Sequence, residues 1–234
     1  MTIKEEATRI IHSCALLYLY NLSCKNIMFV SNNNNQSAYF ESSFLPHNFL
    51  HLTGVSLTPD KTIGLDKSTF LQFAAEDRVS PNHINFATDG TTKMKLSVLP
   101  NLMNIHQTAK MIGEYKYKNL TSRIVADKVA GTVTSALGFK DVHGIYVPNT
   151  ALKEDVRNIT NNRQQVLAIF VKSHNEEKYT HLTYITKNTT IDSIILNPII
   201  GGKIDIKYLY ATFEIPRATS TQEQTQSPKY DRGR

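Results

Sequence analysis

Apolar positions in the first twenty residues recur at helical intervals. Ile3, Ala7, Ile10, Cys14, Leu17 and Tyr18 fall on one side of a 3.6-residue repeat, and Thr2 followed by Glu5 has the spacing of a capping box. Glu5 and Arg9 stand four apart, as helix-supporting ion pairs do. A first helix ending near Asn21 is expected. After it, residues 26–30 and 38–44 flank a polar stretch, 31–37, whose run of asparagines suits a turn and predicts a hairpin. Pro46 can open and Gly54 can close a short helix. Residues 66–77 read as helical, with Leu65, Phe70, Phe73 and Ala74 on one side. A longer helical pattern covers 91–115, interrupted at Pro100, with Leu102, Ile105, Ala109 and Ile112 spaced for burial.

From Ser122 onward the pattern changes to short runs of β-branched and aromatic residues, at 123–129, 132–139, 142–147, 165–172 and 179–187. Helices first and strands later predict an α+β fold, with N-terminal and middle helices packed on a mainly antiparallel sheet built largely from the second half. Residues 1–216 are expected to form a single domain. Residues 217–234, rich in Ser, Thr, Gln and Arg without apolar periodicity, are expected to be a disordered polar tail.

Composition narrows the classes. A chain of 234 residues, 41% hydrophobic, can bury one sizeable core and is too apolar for global disorder. The net charge of +6 is compatible with a polyanionic partner without establishing one. Two cysteines, Cys14 and Cys24, are too few for a disulfide framework or an all-cysteine zinc site, which points to a reducing cytoplasm. The apolar stretch 10–20 mimics a signal core, but Glu5 and Glu6 remove the positive flank and His12 and Ser13 interrupt it. It reads as a buried helix, and no later run approaches the roughly 18 apolar residues of a membrane span.

His47 and His51 stand four apart, as in a zinc protease pair, but Asn48 occupies the place of the motif's glutamate and no third ligand is evident. Two readings remain for His51, a hydrogen-bonded structural histidine or an acid/base group. In the hairpin of the last two strands, a turn at 173–178 would set Lys172 opposite Tyr179, Phe170 opposite His181 and Ala168 opposite Thr183. That face would gather an ammonium, a phenol, an imidazole and a hydroxyl able to hold a phosphodiester; the alternative is a solvated sheet face, and a one-residue slip would reverse the assignment. Lysines alternate with tyrosines at 115–118, with Arg123 and Lys128 beyond, so Lys116, Lys118, Arg123 and Lys128, with Lys93 and Lys95, are candidate nucleic-acid contacts; snorkelling surface lysines are the alternative. The sequence has no P-loop, no dinucleotide-binding turn and no Gly-x-Ser-x-Gly elbow.

The segment Phe44-Leu45-Pro46-His47-Asn48-Phe49-Leu50-His51-Leu52-Thr53-Gly54-Val55 resembles the Asn-Phe-x-His-Leu-Thr-Gly signature of a phage- and mobile-element-associated nuclease family. That family is the fourth phage-type branch of the Barnase, EndoU, colicin and RelE-like group. Leu137-Gly138-Phe139, the run from Tyr146 to Asp155 and the strand ending in Lys172 add to the resemblance. It implies a Barnase–EndoU–colicin–RelE-like α+β fold, RNA as the substrate, and a toxin-like endoribonuclease that needs neither metal nor cofactor. His51 matches the signature histidine and Lys172 the lysine at a strand end; Thr53, Tyr146 and Thr183 are candidates for orienting phosphate or base. The expected mechanism is attack of a ribose 2′-hydroxyl on phosphorus, with His51 as general acid/base and Lys172 stabilising the phosphorane. RNA is the expected partner, with an antitoxin or immunity protein as a second candidate. The alternative function is a non-catalytic nucleic-acid or protein binding module of a phage or mobile element.

Overall fold

A computed structural model describes residues 2–33, 36–116 and 126–212. The expected start signal operates: the Thr2 hydroxyl accepts the Glu5 N–H at 3.2 Å and the Glu5 carboxylate accepts the Thr2 N–H at 2.6 Å. Helix α1 (Ile3–Asn21) buries Ala7, Ile11, Cys14, Ala15 and Tyr18. The hairpin follows as β1 (Lys25–Asn33) and β2 (Gln36–Phe44), antiparallel, with Phe29 opposite Phe40 and their rings stacked at 4.9 Å.

Helix α2 (Asn48–Thr53) carries the signature segment, and most of that signature has a structural task. Asn48 Oδ1 accepts the Leu45 N–H at 2.8 Å, and Phe49 packs on Tyr18 and Phe70 with ring centroids at 5.2 and 6.0 Å. Leu52 is fully buried, and the Thr53 hydroxyl donates to the Leu50 carbonyl at 2.7 Å. Gly54 ends the helix in the left-handed region at φ 71°, and a Cβ there would also meet Lys95 Cδ at 2.6 Å.

Strands β3 (Val55–Leu57) and β4 (Ile84–Phe86) form a small antiparallel pair around α3 (Phe70–Ala75). The expected helix over 66–77 starts only at Phe70, because the Asp66 carboxylate accepts the N–H groups of Ser68 and Thr69 at 2.8 and 3.0 Å and holds a turn. Helix α4 (Thr91–Leu102) runs through Pro100 in its last turn, and α5 (Ile105–Thr108) follows. The expected continuation to Tyr115 is corrected: β5 (Met111–Tyr115) is a strand, its backbone taken up by β6 (Lys128–Gly131) and β9 (Thr160–Ser173). Pairing across the sheet overrides the local helical spacing.

With β7 (Ala136–Val142), β8 (Ile145–Leu152) and β10 (His181–Ile185), the main sheet has the order β1-β2-β8-β7-β6-β5-β9-β10. Strand β9 pairs with β5 through its first half and with β1 through its second, so the circuit of pairings closes on itself. Among the described residues, the pairings between these strands are antiparallel except for the parallel bridge Ser42 to Tyr146. The sheet thus takes β1, β2 and β5 from the first half, the first two being the expected hairpin and the third falling where a helix is expected. Gly138 in β7 is a close approach: a Cβ would meet Thr150 Cγ2 at 2.8 Å and Ala126 Cβ at 3.0 Å.

Helices α1 to α5 share the principal core with one face of the sheet, through Ile27, Phe29, Phe44, Phe139, Ile169 and Val171. On the other face, Met28, Val30, Ala168, Phe170 and Tyr179 pack with α7 (Ile191–Ile195), α8 (Pro198–Lys203) and α9 (Ile206–Thr212). A third cluster joins Tyr115, Val129 and Leu152 to α6 (Val156–Ile159). The architecture is α+β as expected. The expected tail at 217–234 lies outside the described residues.

Candidate active-site cleft

Where the C-terminal end of α1 meets α5 and the ends of β1, β9 and β10, the sheet opens into a cleft of about 370 Å³. Tyr20, Asn21, Lys25, His106, Val171, Lys172, Ser173, His181 and Thr183 line it. The lining holds two imidazoles, two lysines and hydroxyl groups but no carboxylate, a composition suited to an anion.

Each group has an identifiable mount. Asn21 ties the end of α1 to the α4–α5 junction, its amide donating to Met103 O and Asn104 Oδ1, both at 3.1 Å. Lys25 begins β1 opposite Ser173, donates to the Tyr20 carbonyl, and is held below its ordinary pKa by burial. His106 sits on α5, whose carbonyl at that residue accepts the Thr183 hydroxyl. Burial first, then the Lys25 charge, pulls the His106 pKa down from 6.5 to about 4, and its Nδ1 is buried without a hydrogen-bond partner. His106 is therefore neutral near pH 7.

His181 is exposed at the start of β10, and its Nδ1 lies 2.8 Å from the Thr180 hydroxyl. That hydroxyl has one hydrogen, which it donates to Glu176 Oε1 at 3.2 Å. Thr180 therefore accepts from His181 Nδ1–H, which fixes the tautomer and leaves Nε2 for proton exchange. Asp/Glu–hydroxyl–imidazole chains of this kind orient an acid/base group.

The low His106 pKa carries a stability consequence. Its folded pKa of about 4 lies below the unfolded 6.5, so the unfolded chain binds more protons between those values and stability rises with pH across that window. This contribution is complete above pH 6.5 and is lost as pH falls through 4. Urea midpoints measured from pH 4 to 7 are expected to climb less steeply for His106→Gln than for wild type.

The cleft lining includes Lys172 but not His51, so the two expected partners do not share it. His51 is exposed on α2 and is not among the residues lining the cleft; burial, then Lys95, His47 and Lys67, lower its pKa. Lys172 lines the cleft, but its ammonium donates to Glu177 O at 2.7 Å and lies 5.1 Å from the Tyr179 ring centroid. The hairpin register is one residue away from the expected one. His181 faces Val171, Leu182 faces Phe170, and a bulge at Thr183 shifts the rest. Tyr179 thereby enters the second core, fully buried, with its hydroxyl donating to Glu41 at 2.9 Å.

Thr53 is fully buried with its hydroxyl spent on the helix end, so it has no face for a phosphate. Tyr146 lies against Phe40, ring centroids 5.4 Å apart, and its pKa is raised by burial and then by Asp141, Asp127 and Glu114. Thr183 does reach the cleft, with its hydroxyl occupied by the His106 carbonyl.

Among the nucleic-acid candidates, Lys93 and Lys116 are exposed, and Lys95 donates to the His51 carbonyl at 2.9 Å. Lys128 lies 5.8 Å from the Tyr146 ring centroid. Lys118 and Arg123 lie outside the described residues. Tyr20, Lys25 and His106 line the cleft without any local sequence signal that marks them. Tyr20 and Lys25 flank the α1–β1 junction, and only the closure of β1 onto β9 brings them to His181. Among the described residues, no group of three His, Cys, Asp or Glu side chains is placed to hold a metal, and no helix is long and apolar enough to cross a membrane.

These features define an α+β protein with a basic, imidazole-bearing cleft at the open end of its sheet. The chain belongs to the phage-Barnase-EndoU-ColicinE5/D-RelE like nuclease 4 family, whose model matches residues 10–188. It is thus a member of a phage nuclease family, and every cleft residue named above falls inside the matched span. No curated protein and no solved structure matches the chain.

Proposed function

We propose that the protein is an endoribonuclease of toxin-like role that cleaves RNA by 2′-hydroxyl attack in the cleft around His106 and His181. The carrying observation is the convergence of two imidazoles and Lys25 in one carboxylate-free cleft of a nuclease-family fold. Neutral His106 takes the 2′-hydroxyl proton as the O2′–P bond forms. A bound phosphate opposes the Lys25 charge and makes that imidazole a stronger base than in the empty cleft. His181 gives its proton to the 5′-oxygen as the P–O5′ bond breaks, leaving a 2′,3′-cyclic phosphate and a 5′-hydroxyl. Lys25 stabilises the charged phosphorane. These groups perform both proton transfers and the charge stabilisation themselves, so the proposed reaction requires no metal or other cofactor.

A second reading keeps the chemistry at α2. His51 is the residue of the Asn48–Gly54 segment that packing does not consume, and Lys95 and His47 lie close enough to perturb it. One experiment separates the readings. Wild-type protein in chelator is expected to cut labelled single-stranded RNA to cyclic-phosphate ends, with activity lost in Lys25→Ala and kept in His51→Ala. Loss confined to His51→Ala would move the site to α2. RNA binding without cleavage would favour the binding module.

A further inference from the structure

We infer that Tyr20 is a base-stacking platform at the mouth of the cleft, so that the nucleic acid the cleft accepts is single-stranded. The inference rests on reading the cleft as the nucleic-acid site. Tyr20 lines the cleft yet is 81% exposed, a large aromatic ring left in water beside the groups that would hold a phosphate.

Its mount is rigid. The N–H groups of Leu22 and Ser23 both donate to Tyr18 O, closing the helix end, and Asn21 anchors the next position to the α4–α5 junction. The Lys25 ammonium lies 5.8 Å from the Tyr20 ring centroid. An ammonium beside the ring offers a contact for a phosphate oxygen next to the surface on which a base would stack. Aromatic rings that stack bases beside a basic groove are how proteins hold single strands, and the stacking tolerates any base because each has a π-face. A base in a duplex keeps both faces covered by its neighbours and is available to Tyr20 only after unstacking, which costs free energy.

The test uses the full chain and a single-stranded oligonucleotide with 2′-fluoro sugars, which has no 2′-hydroxyl and cannot be cut by the proposed route. The strand carries 2-aminopurine, whose fluorescence is quenched by stacking. Wild type is expected to bind and quench the probe and to bind the same strand annealed to its complement more weakly. Tyr20→Ala is expected to lose roughly 5- to 150-fold in affinity together with the quenching, the range that base–aromatic stacking gives, while Tyr20→Phe stays close to wild type. Because Tyr20 is exposed, the alanine variant is expected to melt at the wild-type temperature, which excludes misfolding as the cause. Unchanged affinity in Tyr20→Ala, equal binding of the duplex, or no binding of the single strand by wild type would each overturn the inference. Failure of the ribonuclease reading would show instead as an uncut unmodified RNA with the Tyr20 effect on binding intact.

Discussion

Replacing His181 by alanine is expected to lower kcat for RNA cleavage by about 10²- to 10⁴-fold, the usual contribution of a positioned acid/base group. Affinity for an uncleavable strand and thermal stability should stay near wild type, because His181 is exposed and its contacts include the Thr180 hydroxyl and the tilted ring of Tyr208 at 5.9 Å. A loss in kcat without a change in KM identifies an interaction made in the transition state rather than in binding. Thr180→Val and Glu176→Gln disturb the same imidazole through its tautomer and should give smaller losses in kcat, again at constant KM. Single-turnover cleavage with wild type and the three variants checks the series. Full activity in His181→Ala would remove His181 from the mechanism and leave His106 and Lys25 to be tested alone.

The elements that could be read from the chain are those whose signals are local. The Thr2–Glu5 box, the Gly54 stop and the β1–β2 hairpin are each specified within a few residues, and the structure has all three. The signals at Thr190 and at Asn197-Pro198 are equally local and cap α7 and α8, helices that the strand-rich reading of the second half passed over. What local pattern could not supply was the partner of each strand. Met111–Tyr115 carries helical spacing but is flanked by two strands far away in sequence, and its fate is decided there.

The site shows the same division. His51 was conspicuous because it sits in a compact signature, yet the neighbouring signature residues explain themselves by packing and capping. His106 and Lys25 stand in unremarked stretches and meet only because α5 packs on β10 and β1 pairs with β9. The expected register sets His181 opposite Phe170, whereas the structure sets it opposite Val171, and that one-residue difference reverses the face on which it emerges. Spacing identified the kinds of group present, and closure of the sheet selected which of them share a cleft.

Phe139→Ala is expected to cost about 3–5 kcal/mol, the range for removing a buried aromatic ring from a core that relaxes only in part. The ring is fully buried at the middle of the principal core, with centroids 6.0 Å from Phe29, 5.5 Å from Phe40 and 6.1 Å from Phe44. These contacts reach from β7 to β1 and β2, strands with which β7 does not itself pair, so the void falls where separate parts of the sheet lean on one side chain. For a chain of this size a loss of that order lowers the melting temperature by about 6–20 °C, read by calorimetry. Phe139→Leu leaves a smaller void and should lose less. None of the rings that Phe139 touches lines the cleft, so the alanine variant held well below its melting point should retain the kcat of wild type. Stability lost with kcat kept in Phe139→Ala, against kcat lost with stability kept in His181→Ala, separates what holds the sheet together from what acts at its open end. A Phe139→Ala protein that melts like wild type would mean that the core repacks around the missing ring, and that the three-strand contact is less constraining than its geometry implies.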